Sequence, residues 1–223
     1  MNKKILILLY FLVLAIDLFA VYSDNENLRY ISKPLLMPFL LFLFISVTKS
    51  FPSVFKKWIV LALLFSWGGD VLLMFEPVGT QFFIFGLVSF LLAHIFYILF
   101  YESITRAEGI QKNYLWLIPV AAYCTLLVIF LWKNLGEMKI PVSVYSVVIG
   151  FMLVQAIQTI RIKNKGAAWQ ILTGALFFVV SDSLLATNKF SYSFEYAGIA
   201  VMGSYGLAQL LITLGAIRYF SKE

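Results

Sequence analysis

The sequence predicts an all-α, polytopic membrane protein of eight transmembrane helices, on three observations: composition, the length of its apolar runs and the placement of its charges. Of 223 residues, 62% are hydrophobic and 13% charged, and mean hydropathy is +0.93. A water-soluble domain carries about 25% charged and roughly 45–50% apolar residues, so this chain has too few polar groups to cover a surface in water. Disorder, a coiled coil and a cytosolic enzyme are thereby excluded. Crossing the hydrocarbon layer takes about 20 apolar residues per helix, and such runs nearly use up the chain. The connections are too short to hold a soluble domain.

The first run, residues 5–22, follows Lys3 and Lys4 in the manner of a signal peptide, but it holds Asp17 and lacks a convincing small-residue cleavage site. It is expected to be a retained helix. The second, residues 34–48, is short, which predicts a partly extended or tilted start around Lys33-Pro34. Pro34 then falls in a first turn, where its missing N–H is tolerated. The remaining runs are residues 58–75, 81–101, 113–132, 140–160, 167–187 and 194–217. Together they make one transmembrane domain over residues 1–223.

Orientation follows from Lys and Arg, which accumulate in cytoplasmic loops. With the first helix starting inside, the inner set is Lys3, Lys4, Lys49, Lys56, Lys57, Arg106, Lys112, Arg161, Lys163, Lys165, Arg218 and Lys222. The outer set is Arg29, Lys33, Lys133, Lys139 and Lys189. Twelve against five predicts that both termini are cytoplasmic. The net charge of +6 is therefore a topology signal, and no nucleic-acid partner is expected. A single cysteine, Cys124, and a single histidine, His94, leave no CxxC motif and argue against a zinc site of Cys and His. The closing Ser221-Lys222-Glu223 matches neither the KDEL nor the SKL signal. A bacterial inner membrane is the expected location.

An internal repeat emerges when the helices are aligned. A shift of 112 places Phe65-Ser-Trp-Gly-Gly-Asp70-Val-Leu-Leu73 on Phe177-Phe-Val-Val-Ser-Asp182-Ser-Leu-Leu185. A shift of 115 places Ser89-Phe-Leu-Leu-Ala-His94 on Ser204-Tyr-Gly-Leu-Ala-Gln209. Four spans separate the partners, so the halves, about 1–105 and 106–223, would insert with the same orientation as a parallel 4+4 repeat. The coincident aspartates carry most of the weight, since Phe and Leu matches are common in so apolar a chain.

Asp17, Asp70 and Asp182 fall well inside spans, where a carboxyl costs a few kcal/mol. Each lies six residues before the first residue past its run, Ser23, Glu76 and Asn188, roughly 9 Å deep at 1.5 Å per residue. A polar chamber opening to the outer leaflet, with Lys33 at its rim and Asn188 and Tyr192 in the loop after Asp182, satisfies these groups. Two carboxyls close together divide readily into a general acid and a general base, the arrangement that cleaves acetal-like bonds. The alternatives for Asp70 and Asp182 are interhelical hydrogen bonding and a proton or cation path in a transporter. Asp17 is expected to line the site or to be structural. Thirteen residues below Gln81, His94 is expected about 10 Å deeper than the aspartates, hydrogen-bonded between helices with Tyr97 at i+3, and Gln209 in the matching place.

Lys33-Pro-Leu-Leu-Met-Pro38, Gly69-Asp70-Val-Leu-Leu-Met-Phe75, Gly86 with Phe90, His94 and Tyr97, Ser181-Asp182-Ser-Leu-Leu-Ala186 with Phe190, and Tyr205 with Gln209 follow one another along the chain. In order and spacing they resemble the motifs of the YhhN family of lysoplasmalogenase-like integral membrane proteins. The resemblance runs from about Lys33 to Gln209. It implies a multi-pass hydrolase that cleaves the vinyl-ether bond of a lysoplasmalogen to a fatty aldehyde and glycerophosphoethanolamine or glycerophosphocholine. It also implies that Asp70 and Asp182 are catalytic, with either as acid or base, and that no metal or organic cofactor is needed. The substrate-binding set expected around them is Lys33, Asn188, Tyr192, Ser181, His94, Tyr97 and Gln209. A small-solute or proton-coupled transporter is the alternative, and a purely structural membrane protein a third.

Overall fold

The computed structural model describes residues 3–51 and 53–221. Met1, Asn2, Pro52, Lys222 and Glu223 lie outside the described residues, Lys222 of the inner charge set and Glu223 of the closing tripeptide among them. Eight long helices are present among the described residues: α1 (Lys3–Tyr22), α2 (Glu26–Thr48), α3 (Lys56–Met74), α4 (Thr80–Ala107), α5 (Leu117–Leu131), α6 (Lys139–Gln158), α7 (Lys165–Phe190) and α8 (Ala197–Ser221). Each is apolar enough to cross a membrane; α5 and α6 reach full length through flanking 3-10 turns. Among the described residues there is no strand. The protein is an all-α, multi-pass membrane protein.

α2 departs from expectation. It begins at Glu26, not at Pro34, because the Asn25 side chain caps it, accepting from the Leu28 N–H at 3.0 Å. Charged residues at the head of a helix hide it from a search for apolar runs. Pro34 and Pro38 therefore sit inside the helix, where each removes one backbone donor. Pro38 deprives the carbonyl of Pro34, four residues earlier, of its usual partner. The Trp67 indole N–H fills that place, donating to Pro34 O at 2.9 Å. α7 also outlasts its apolar run, continuing through Asn188 to Phe190. α4 is 28 residues long, about 42 Å, so it must tilt or protrude from the layer.

The helices pair as consecutive antiparallel neighbours, α3 with α4 and α7 with α8 most extensively. α2 packs on α3 and α8, and α6 packs correspondingly on α7 and α4. α1 lies on α2 and α8, while α5 covers α6 and touches α7. Leu126, Ile129 and Phe130 leave α5 the most exposed helix, its apolar surface facing lipid. The closest approach is between α7 and α8: a Cβ at Gly174 would stand 2.8 Å from Ala208 O and 2.9 Å from Ile212 N. Only a residue without a side chain lets two backbones meet in this way.

Candidate active site

A cavity of about 320 Å³ lies in one half of the bundle. Its wall is built from the first turns of α2, the last turns of α3 and α7, and parts of α4, α5, α6 and α8. Glu26, Arg29, Glu76 and Lys189 stand at its charged end, and Leu127, Val128 and Ile149 are among its apolar lining. Asp70 and Asp182 both line it. The two carboxyls that coincide under the repeat thus face one chamber.

Asp70 is 2% exposed, and a carboxylate so enclosed needs compensation. The Tyr205 hydroxyl on α8 donates to its Oδ2 at 2.7 Å. Lys33 Nζ on α2 lies 3.7 Å from its Oδ1. Gly69 makes room for this arrangement. A Cβ there would be 2.6 Å from the Phe90 ring, and that ring stands edge-on to Tyr205 with centroids 5.8 Å apart. The glycine before the aspartate thereby seats the tyrosine that bonds it.

Asp182 is held differently. The Tyr145 hydroxyl on α6 donates to its Oδ2 at 2.5 Å. His94 Nε2 on α4 lies 2.8 Å from the Tyr145 oxygen and 3.3 Å from Asp182 Oδ2. Since the phenol spends its hydrogen on the carboxylate, Nε2 must be the donor nitrogen of His94. Nδ1, buried with no partner, is then an unprotonated acceptor, which is easier to leave alone than an orphaned N–H. The Phe178 ring, 4.7 Å from the imidazole centroid, holds its face.

Lys33 is not at the rim; it is buried, 5% exposed, and faces Asp70. His94 is in contact with Asp182, against the expected separation of about 10 Å. That depth was counted from helix ends taken as level, whereas α7 runs on to Phe190 and α4, at 28 residues, must tilt or protrude from the layer. Ser181 lines the cavity, but its hydroxyl is committed to Val201 O at 3.0 Å. Tyr97 donates to Gln209 Oε1 at 2.5 Å, and Gln209 Nε2 donates to Ser66 at 2.9 Å. This buried chain ties α4, α8 and α3 together without lining the cavity. Asn188 is in the last turn of α7 rather than in a loop, and the exposed Tyr192 packs on Phe194; neither lines the cavity. Asp17 is fully buried away from it, accepting from Ser32 at 2.8 Å.

Tyr145 and Arg29 are the site residues that sequence reasoning missed, and Tyr205 was legible only as a motif residue. A signal for Tyr145 existed. The shift of 112 that relates Asp70 to Asp182 also relates Lys33 to Tyr145, one helix earlier in each half. Among the described residues, no group of three or more His, Cys, Asp or Glu is placed to hold a metal ion.

The chain is similar in sequence to several known proteins. The chain is 34% identical over 164 residues to human lysoplasmalogenase TMEM86A, covering 71% of this chain and 65% of that protein. It is 32% identical over 173 residues to the lysoplasmalogenase of Mycobacterium tuberculosis, covering 75% and 62%, and 31% identical over 163 residues to mouse lysoplasmalogenase TMEM86B, covering 70% and 62%. The matched stretch thus spans a little under two thirds of each relative's length. No solved structure matches the chain significantly. The model of the YhhN family matches residues 28–216, a range that contains both cavity aspartates and every partner described for them: the chain belongs to the YhhN family.

Proposed function

We propose that this protein is a membrane-embedded lysoplasmalogenase, an ether hydrolase whose catalytic groups are Asp70 and Asp182. The observation that carries the reading is the shared chamber: two carboxyls from different halves of the chain face one cavity whose charged end and apolar wall match a single-chain phospholipid. Relatives named as lysoplasmalogenases support the choice of substrate. A transporter needs access from both faces of the membrane, while the charged side chains of this cavity gather at one end.

The partners of the carboxyls divide the labour between them. Asp70 has a cation beside it, so it serves as the ionised carboxylate that draws a proton from water. Asp182 meets a phenol and an imidazole, both at Oδ2, which leaves Oδ1 to carry the proton of a general acid. Asp182 protonates the alkene carbon farther from oxygen, and the ether oxygen shares the resulting positive charge as an oxocarbenium ion. Water, losing its proton to Asp70, adds to the carbon bearing oxygen. The hemiacetal then collapses: Asp182 takes the proton of the new hydroxyl, the bond from that carbon to the glycerol oxygen breaks, and Asp70 gives its proton to the departing oxygen. A fatty aldehyde and the free sn-1 hydroxyl of the glycerophosphodiester result, with both aspartates restored. His94 and Tyr145 hold the acid in place. Every atom of the product comes from lipid and water, and the route draws on no cofactor.

The remaining expectations join this reading. The 4+4 repeat is supported by the matched helix pairings, α2 on α8 with α6 on α4. The twelve-to-five bias of Lys and Arg supports cytoplasmic termini, and the location taken in this reading is a bacterial inner membrane. The detergent-purified protein should release aldehyde from lysoplasmalogen and leave the ester lysophospholipid of equal chain length intact. In D2O, with borohydride present to trap the product, the alcohol recovered should carry one deuterium on the carbon next to the former aldehyde. Intact vinyl ether after incubation with folded protein would return the transporter to the lead.

A further inference from the structure

We infer that Arg29 is the phosphate ligand of this cavity, a guanidinium that takes the phosphodiester of a single-chain phospholipid. The inference rests on the lipid-hydrolase reading above and names its headgroup subsite. α2 turns Glu26, Arg29, Tyr30 and Lys33 onto the cavity wall, the i, i+3, i+4, i+7 spacing of one helix face. Three cations line the cavity, and two are already engaged. Lys33, 6% exposed at its side chain, faces Asp70; Lys189 pairs with Glu76 and lies over the Phe83 ring at 4.5 Å. Arg29 makes no ion pair among the described residues, and its Nε is buried without an acceptor. Buried donors in folded proteins are nearly always satisfied, so a guanidinium that lines a cavity, and whose Nε meets no acceptor among the described residues, is free to take an anion there.

Depth and shape agree. Arg29 lies four residues before Lys33 on α2, about 6 Å nearer the outer end of the helix. In a lysoplasmalogen the phosphorus is six bonds from the vinyl-ether carbon that water attacks, about 7 Å when extended. With that carbon beside the carboxyls, the phosphate comes level with Arg29. The guanidinium fork matches two phosphate oxygens at once, a geometry that a lysine ammonium does not offer. Lys33, a member of the substrate-binding set expected from the sequence, lies deeper and is already engaged by Asp70.

The test separates binding from chemistry. Binding of a 1-O-alkyl lysophospholipid, which has headgroup and chain but no vinyl ether, is followed by tryptophan fluorescence on the detergent-purified protein. 1-O-Alkylglycerol, which lacks the phosphate, and inorganic phosphate are run beside it. Arg29→Gln should bind the alkyl lysophospholipid about 10- to 100-fold more weakly and the alkylglycerol as the parent does, with Arg29→Lys between the two. Inorganic phosphate should compete only at far higher concentration than the lipid. Unchanged lipid binding in Arg29→Gln, equal loss of both ligands, no lipid binding by the parent, or displacement by phosphate at concentrations equal to the lipid's would each overturn the assignment. A parent protein that binds the alkyl lipid through Arg29 but leaves the vinyl ether intact would instead sink the hydrolase reading and keep the subsite.

Discussion

Tyr145 and Lys33 occupy matching places in the two halves of the chain: Tyr145 lies 37 residues before Asp182 and donates to it at 2.5 Å, and Lys33, at the same spacing before Asp70, lies 3.7 Å from it. Each sits on the helix just before its aspartate. Lys33 brings a charge that Tyr145 does not. An ammonium favours an ionised neighbour and a phenol does not demand one, which is the contrast on which the proposed division into base and acid rests.

Tyr145→Phe removes the donor on Asp182 and the oxygen on which His94 Nε2 rests. Asp182 becomes charged as it gives up its proton, and losing one hydrogen bond to a charged group costs about 1.5–3 kcal/mol, so kcat for lysoplasmalogen should fall roughly 10- to 100-fold. KM should change little, because the phenol touches the carboxyl and not the lipid. A loss confined to KM would place Tyr145 in substrate binding instead.

Lys33→Met leaves Asp70 buried without a counter-charge. Breaking a buried pair from one side costs about 3 kcal/mol, which should appear as a lower thermal midpoint in detergent. In Lys33→Met/Asp70→Asn most of that loss should return while activity stays absent. Strictly additive losses of stability would mean that the two side chains do not interact.

Gly69→Ala puts a methyl group 2.6 Å from the Phe90 ring, which stands edge-on to Tyr205. Overpacking of this kind costs about 1–3 kcal/mol, and activity should drop as Tyr205 is pushed from Asp70. Adding Phe90→Leu should restore part of both. If the second substitution restores nothing, the route from Gly69 through Phe90 to the carboxyl is refuted.

The indole of Trp67 replaces a backbone donor that Pro38 removed. Trp67→Phe should therefore destabilise by about 1 kcal/mol, and by less in a Pro38→Ala background, where the regained N–H serves the Pro34 carbonyl. Chemical denaturation of the four proteins of that cycle measures the coupling. Equal costs in both backgrounds would show that the carbonyl gains nothing from the indole.

Much of the fold was legible because lipid imposes a length and a polarity on every crossing helix, and the eight runs answer to both. The start of α2 was hidden because Glu26, Arg29 and Lys33 look like a loop to a search for apolar residues, although Asn25 is a sound cap. Asp70 and Asp182 stood out because buried carboxyls are costly. Tyr145 did not, since a tyrosine in an apolar helix is unremarkable until its partner is known. The contact of His94 with Asp182 depends on helix tilt, and residue counting along one helix carries no tilt. Arg29 counted first as an outer-loop charge, and only its position on the cavity wall, with an unpaired Nε, set it apart.

The central claim, that two aspartates in one cavity hydrolyse a vinyl ether, is tested most directly by aldehyde release from lysoplasmalogen by the parent, Asp70→Asn and Asp182→Asn proteins. Asparagine keeps the size of the carboxyl and much of its hydrogen bonding but neither gives nor takes the proton, so both variants should stay folded and lose at least about 1,000-fold in kcat/KM. Aldehyde release at the parent's rate from either folded variant would contradict the mechanism.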